Sequence, residues 1–516
     1  MPIYSLGSLN VSALSAPGVY LQIKAPPLII NGVPSNVLGA VGIGSWGPVN
    51  APRLVGSPND VAQWLGDKQV RKYDLATAMD VFFLQGATAV QYVRVTDGTD
   101  VAATGKLMDT AGTPAIGANL TAIYTGTRGN SITAAVSAGT KSSTFKVTIA
   151  LPGTQAEVFD NIGGSGAALW TNVVNALNNG QSNTRGPSQL VVATAGPATA
   201  APNITTPATF TSGTDGTTTL TDSLLIGQDG NAGTRKGMYC LRGTGAQVGC
   251  LVDHSDLTAA STVLAFGLSE GIYFGLQGAP SANYTTVSTA LNTAGADGYG
   301  VKVFVGDWVT YFDSTNQQNR LLGPATFWAG KQAALSPEQS SLNKPLFGIV
   351  STQRVAQSLP YTSTEIGAIN QARLDVISNP SPGGNFYATQ TGGNASSAAG
   401  QDGDNYTRMT NYLALTLAAA FGTVIGKNQT VDLRKDVKSA MQAFLSNLWR
   451  LDMIGDVNNP TQAPFTVQID KANNPDSAVA AGYMQADVTV KYLSVVLYFV
   501  INLQGGQTVQ IQSSVQ

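Results

Sequence analysis

Gly42-Ile-Gly-Ser-Trp-Gly47 is the first segment whose spacing matches a chemical motif. It carries the G-x-G-x-x-G pattern of a dinucleotide-binding turn and follows an apolar run. That chemistry needs a helix whose N-terminus faces the pyrophosphate. Pro48 follows at once and Pro52 soon after, so no crossover helix starts there and the segment reads as a turn. The sole histidine, His254, stands in Asp253-His-Ser-Asp256 after a predicted strand, where α/β folds place their active sites. An enzyme would have to be built around Asp253 and His254. A serine triad of the hydrolase kind also needs a nucleophile elbow, and the chain has no G-x-S-x-G. Cys240 and Cys250 with His254 fit no usual zinc spacing. Asp402-Gly-Asp404 opens like an EF-hand loop, but its twelfth position is Leu413, where a glutamate is required. There is no P-loop. The expectation is a protein with no catalytic, cofactor-binding or metal-binding residues.

The elements that would position such residues are nonetheless well marked. Pro17-Gly18 introduces Val19–Lys24, alternating and so a strand, and Asn31-Gly32 signals a hairpin. A strand over 37–43, a short helix capped at Asn59-Asp60, a helix over 75–85 and a strand over 89–95 follow. From about Thr96 to Asp222 the composition turns to Thr, Gly, Ala and Ser with hardly any charge. Strands are expected there at 131–136 and 145–149 and a helix at 167–177, with Pro187–Gly216 as linker. Strand–helix alternation resumes at Leu224, with strands at 248–252, 271–276 and 301–305, which argues for helices packed on a largely parallel sheet.

Near the C-terminus a helix is expected over Asp404–Lys427. A second is capped by Thr430, with Val437, Met441, Phe444, Leu445, Leu448 and Leu451 on one stripe. Phe465–Asp470 reads as a strand. Tyr492–Leu503, too short to span a bilayer as a helix, reads as a strand covered on both faces. Beyond Gly505-Gly506, Thr508–Gln512 alternates again and is an edge in search of a partner.

Composition limits the partners. Charged residues are 11% of the 516, against roughly 25% in an average soluble domain. The net charge of −2 leaves no electrostatic footprint for nucleic acid. Met1–Asn10 has neither the basic nor the apolar region of a signal peptide, so synthesis in the cytoplasm and free thiols at Cys240 and Cys250 are expected. So few charges suit a surface covered by other copies of the chain.

Several segments, in order, resemble one family. They are Pro17-Gly-Val-Tyr20, Ala40-Val-Gly-Ile-Gly44, Gly47-Pro-Val-Asn50, Tyr124–Asn130, Phe327-Trp-Ala-Gly330, Ile366–Asn370, Gly383-Gly384 to Thr391, Leu448-Trp-Arg450, Phe465–Asp470 with Asn473-Asn474, and Ala486–Val490. Their order is similar to that of contractile-tail sheath proteins, which jacket the tube of contractile phage tails and related injection machines. Gly323-Pro-Ala-Thr departs from the family's commoner wording.

The resemblance implies a multidomain α/β plus β protein. An N-terminal arm (1–24) precedes a discontinuous α/β domain (25–96 and 223–390) interrupted by an inserted β-rich outer domain (97–222). A C-terminal helix and strand assembly domain (391–505) and a C-terminal arm (506–516) complete it. Such a subunit would stack as hexameric rings, a helical homopolymer, around a tail tube. It would meet baseplate and tail terminator, and contract to drive the tube through the host envelope. It would be assembled in the host cytoplasm, reside in the virion tail, and insert in no membrane. Strand arms are expected at Val19, Tyr20, Leu21, Gln22, Ile23 and Lys24 and at Thr508, Val509, Gln510, Ile511 and Gln512. Arg434, Lys435 and Lys438 are the candidate tube contact. The rivals are an enzyme centred on Asp253 and His254, or a tube, capsid or fibre protein.

Overall fold

The computed structural model describes residues 3–6, 20–23, 30–182, 185–501 and 503. They form two compact units. One takes the described residues of Met1–Val33 with Met409–Leu493; the other takes Pro34–Arg408 with the described residues of Ser494–Gln516.

The larger unit is built on a six-stranded sheet. Its strands are β1 (Val37–Gly42), β2 (Pro52–Val55), β3 (Ala89–Arg94), β4 (Val248–Leu251), β5 (Tyr273–Gln277) and β6 (Val301–Phe304). Their order is β6-β5-β4-β1-β3-β2, all parallel except the antiparallel edge strand β2. Alternate residues feed two different cores. Leu38, Ala40, Val90, Val248 and Tyr273 pack on one face with Met79, Phe82, Phe327 and Trp328 of the helices Leu75–Leu84 and Pro324–Ala334. Val41, Val93, Leu251, Phe274 and Val303 pack on the other with Val263, Phe266, Val287 and Leu291 of the helices Ala260–Glu270 and Tyr284–Thr293. Covering both faces is what near-continuous apolar strands require. Cys250 faces the first core and Cys240 the second, so the two thiols remain free.

Gly42–Gly47 is a turn, as expected, and leads into β2 rather than a helix. Gly47 sits at φ 93, and a Cβ there would lie 2.6 Å from the Trp64 carbonyl oxygen, so the glycine serves packing. The next helix, Pro58–Trp64, is capped by Ser57 rather than by Asn59-Asp60, because Pro58 fits the first helical position. The Asn31-Gly32 hairpin is absent from the described residues: 30–36 form no strand, while Leu28 and Ile29 lie outside them.

Between β3 and β4 the chain builds two further antiparallel sheets. Glu157–Ile162, Phe145–Ala150, Thr133–Ala138 and Ala208–Thr209 form one; Val191–Ala195, Ile116–Thr125 and Ala102–Met108 form the other. The helix Gly166–Asn179 closes them, with Trp170 lying over Gly117, where any Cβ would collide with the indole. Pro187–Gly216 is therefore not the expected linker. Its Ala and Thr residues gain strand structure from a partner, Val191–Ala195 pairing with Ala118–Ala122, which composition does not reveal. The chain enters and leaves side by side, Val101 and Thr214 exchanging backbone hydrogen bonds of 3.2 and 3.1 Å.

In the smaller unit the expected helices run Asp404–Phe421, its first turn belonging to the other unit, and Val431–Arg450. The first is shorter than read: a 3-10 turn, Gly422–Val424, ends it before Lys427. A two-stranded antiparallel sheet, Phe465–Gln468 with Asp487–Val490, packs against Val431–Arg450. Ile3–Leu6 pairs in parallel with Tyr20–Ile23.

Candidate assembly surfaces

The helix Val431–Arg450 begins where its sequence dictates. The Thr430 hydroxyl accepts the Leu433 N–H at 3.1 Å, and Asp432 stands in the first turn, where the helix dipole favours an anion. Val437, Met441, Phe444, Leu445 and Leu448 are buried together with Met409, Leu413, Ile454 and Val467. Leu451 is the exception at 58% exposed, since the helix ends at Arg450 and the stripe ends with it. Of the three predicted cations Lys435 is exposed, whereas Arg434 and Lys438 are half-buried, Arg434 lying i,i+3 from Val437 and i,i+7 from Met441 beside the buried stripe. None of the three reaches ion-pair distance of a carboxylate among the described residues, and the Arg434 Nε has no hydrogen-bond partner there.

The sheet beside this helix is two-sided. Val467 is buried and Val488 and Val490 pack on the same core, whereas Thr466, Gln468, Asp487 and Thr489 face water. Among the described residues each strand pairs with another strand on one side only, which leaves an edge on either side without a strand partner there.

The apolar run Tyr492–Leu503 corrects the sequence reading. Residues 494–501 and 503 pair with no strand among the described residues, and Val496, Phe499 and Leu503 are 73%, 82% and 91% exposed. β-Branching and apolarity record fitness for burial, not which chain supplies the cover. Of the two predicted arms, Tyr20, Leu21, Gln22 and Ile23 form a strand. Val19, Lys24 and the whole of Thr508, Val509, Gln510, Ile511 and Gln512 lie outside the described residues.

The rival centre at Asp253 and His254 lies where a ligand would bind in such a fold. It stands beyond the C-terminal end of β4, beside β1, where the strand order reverses. The crevice there is filled by the chain itself. Ile43 donates to the Tyr73 carbonyl at 2.8 Å and Leu75 to that of Ile43 at 2.9 Å, closing it over β1. Asp253, at φ 52, accepts the Gly323 N–H at 2.9 Å, and its burial pushes the carboxyl up to about 6. His254 is 1% exposed, and neither ring nitrogen has a hydrogen-bond partner among the described residues. Burial holds its pKa down, so the neutral imidazole is what fits. Among the described residues the imidazole hydrogen-bonds neither a nucleophile nor Asp253. Asp222 organises the neighbourhood, accepting from Tyr73 Oη, Lys72 Nζ and the N–H groups of Ser255 and Asp256. Among the described residues no cluster of His, Cys, Asp or Glu could hold a metal ion, and no helix is long and apolar enough to cross a membrane.

Comparison of the whole architecture with solved structures is decisive for the fold. The sheath tail protein Lin1278 of Listeria innocua matches at a TM-score of 0.59 and 17% identity, over 91% of this chain and 96% of that one. The sheath tail protein DSY3957 of Desulfitobacterium hafniense matches at 0.55 and 17%, over 88% and 94%. This is the tail-sheath fold. The helical sheath of the anti-feeding prophage in its contracted state shares it at 0.54 and 11% identity, over 95% of this chain and 99% of its own. No protein-family model and no curated protein matches by sequence. The sheath fold thus persists here with few of its residues. The short motifs that resembled the family fall on turns and pairings of that fold, such as the 3-10 turn Thr127–Ser131 and the strand Phe465–Gln468.

Proposed function

We propose that this chain is the structural subunit of a contractile tail sheath. The observation that carries the reading is the sheath fold extending over 88–95% of the chain in three sheath comparisons. The pair Phe465–Gln468 and Asp487–Val490, each strand with one edge lacking a strand partner among the described residues, and the exposed apolar run 494–501 support polymerisation. In this reading, arms around Val19–Lys24 and Thr508–Gln512 add strands to a neighbour's sheet, and the two open edges are the acceptors. Backbone pairing tolerates rotation about Gly505-Gly506, so subunits stay linked while the lattice changes pitch. Hexameric rings stack around a tail tube between baseplate and tail terminator, in particles assembled in the host cytoplasm. Contraction drives the tube through the host envelope, and the stored free energy lies between two packings rather than in a nucleotide. Negative-stain microscopy of the purified chain tests this: rings or long tubes are expected, and compact monomers at every concentration would overturn it.

The tube contact is assigned to Arg434, Lys435 and Lys438, cations that reach no carboxylate at ion-pair distance among the described residues and that suit an acidic ring on the tube. Reversing all three to Glu is expected to weaken co-sedimentation with tubes and to flatten its salt dependence, leaving circular dichroism unchanged. Unaltered binding would remove these residues from the interface.

The β-rich region is proposed as an outer decoration dispensable for assembly. Its sequence boundaries, 97–222, include Asp215 and Asp222, which bind Arg71, Ser45, Tyr73 and Ser255 of the α/β unit. The cut therefore belongs inside the Val101–Thr214 bridge. Replacing 102–213 by a short Gly/Ser linker is expected to leave a chain that folds and forms tubes, with the loss of the Arg94 hydrogen bond to the Thr125 carbonyl, those of Thr127 to Asp215, that of the Arg128 N–H to the Ser45 carbonyl, the Arg128–Asp67 ion pair and the cover over Trp46. Loss of the monomer fold would show that the region is part of the core.

A further inference from the structure

Lys302 on β6 is fully buried with two carboxylates, Asp375 and Asp404, both at 0% side-chain exposure. Its ammonium lies 2.7 Å from Asp375 Oδ2 and 3.2 Å from Asp404 Oδ1, and donates to the Gly393 carbonyl at 2.9 Å. The rings of Phe304 and Trp328 stand 5.7 and 5.9 Å from Nζ. The two carboxylates are held differently. Asp375 Oδ1 accepts the N–H groups of Val376, Gln390 and Thr391 at 2.7, 2.9 and 3.0 Å, and Oδ2 that of Gly392 at 3.3 Å. Asp404 accepts mainly hydroxyls: Tyr273 Oη at 2.7 Å on Oδ1, and Ser341 Oγ at 2.6 Å and Ser340 Oγ at 3.2 Å on Oδ2.

We propose that Lys302 and Asp375 condense spontaneously to an intramolecular amide, with Asp404 relaying the protons. An amine held beside a carboxyl group in a water-excluded pocket has the proximity that makes amide formation effectively unimolecular. The three N–H groups on Asp375 Oδ1 are placed to receive the charge that develops there when nitrogen attacks Cγ. Burial pulls the Lys302 ammonium down, but the paired carboxylates outweigh it and leave its pKa above the ordinary lysine value. The sequence thus begins with a proton passing from Nζ to Asp404. The neutral amine forms the N–C bond to Asp375 Cγ, and Asp404 returns its proton to Oδ2. The second Nζ proton follows as the Cγ–Oδ2 bond breaks. One water leaves, Asp404 is again a carboxylate, and no oxidant, reductant or nucleotide is consumed. The product replaces the Lys302–Asp375 ion pair with a neutral amide and leaves the Asp404 carboxylate to the hydroxyls of Tyr273, Ser340 and Ser341. It would staple β6 to the segment following Asp375 within the same subunit.

The test is the intact mass of the full chain, denatured before measurement, with tryptic mapping. The expected result is a chain lighter by one water, no cleavage after Lys302, and one branched peptide joining Lys302 to Asp375. Asp404→Asn is expected to restore the full mass and the cleavage while the chain stays folded by circular dichroism. Should that variant not fold, the wild-type mass alone decides. A wild-type chain at full mass, or a water loss mapping to any other pair, Asp404 included, overturns the proposal. A branched peptide that persists in folded Asp404→Asn overturns the relay. None of these outcomes depends on tube formation, so the bond and the sheath reading fail separately.

Discussion

A chain ending at Gly505 is expected to fold, stay soluble and form no tubes. A lone strand has no stability in water, so Thr508–Gln512 gains structure only by pairing with a sheet, and pairing is its proposed role. The monomer should not register the loss. The run leading to this segment is exposed, with Tyr498 at 77% and Ile501 at 71%, which is why the monomer core is expected not to depend on it. Thermal unfolding should be nearly superimposable on that of the full chain, while sedimentation and electron microscopy pass from long particles to single subunits. The predicted loss of assembly is close to complete, because each subunit forfeits a link to a neighbour and the polymer multiplies that loss. Persistent tubes, or an unfolded monomer, would show that the tail is not a donated strand.

Asp253→Asn is expected to stabilise the protein at pH 8 and to make little difference near pH 4. Burial raises this carboxyl from 3.8 to about 6, so the folded state disfavours its ionised form. A group whose folded pKa is raised contributes stability that is fully present below 3.8 and is lost as pH rises through 6. The asparagine keeps an oxygen for the Gly323 N–H, tolerates the positive φ and carries no charge to desolvate. The difference of about two pKa units corresponds to roughly 2–3 kcal/mol at pH 8, an upper figure for a site that can relax. Unfolding midpoints of the two proteins at pH 8, 6 and 4 check it. A gap that is absent at pH 8, or independent of pH, would show that Asp253 is not the buried carboxylate described. His254 acts with opposite sign in both proteins, its neutral ring becoming a liability as pH falls through 6.5, and so cancels from the comparison.

The sequence by itself determined what depends on neighbours along the chain. The Thr430 cap, the stripe from Val437 to Leu448, the five parallel strands of the central sheet and the turn at Gly42–Gly47 follow from hydroxyl capping, apolar period and proline placement, whereas the antiparallel edge strand Pro52–Val55 does not. The order of short motifs carried the resemblance to sheaths, although none of them was specific alone. Tertiary structure decided what depends on partners far away in sequence. Val191–Ala195 is a strand because Ile116–Thr125 lies beside it. Asp215 and Asp222 belong to the α/β unit because Arg71 and Tyr73 need them. Lys302, unremarkable in its sequence, meets carboxylates 73 and 102 positions away only when β6 enters a sheet buried on both faces. Tyr492–Leu503 marks the limit of both: its composition demands cover, yet its own chain leaves Leu503 91% exposed. Composition encodes a free energy of burial, whereas the surface that satisfies it is fixed by geometry, and for this run that geometry is proposed to belong to a neighbouring copy.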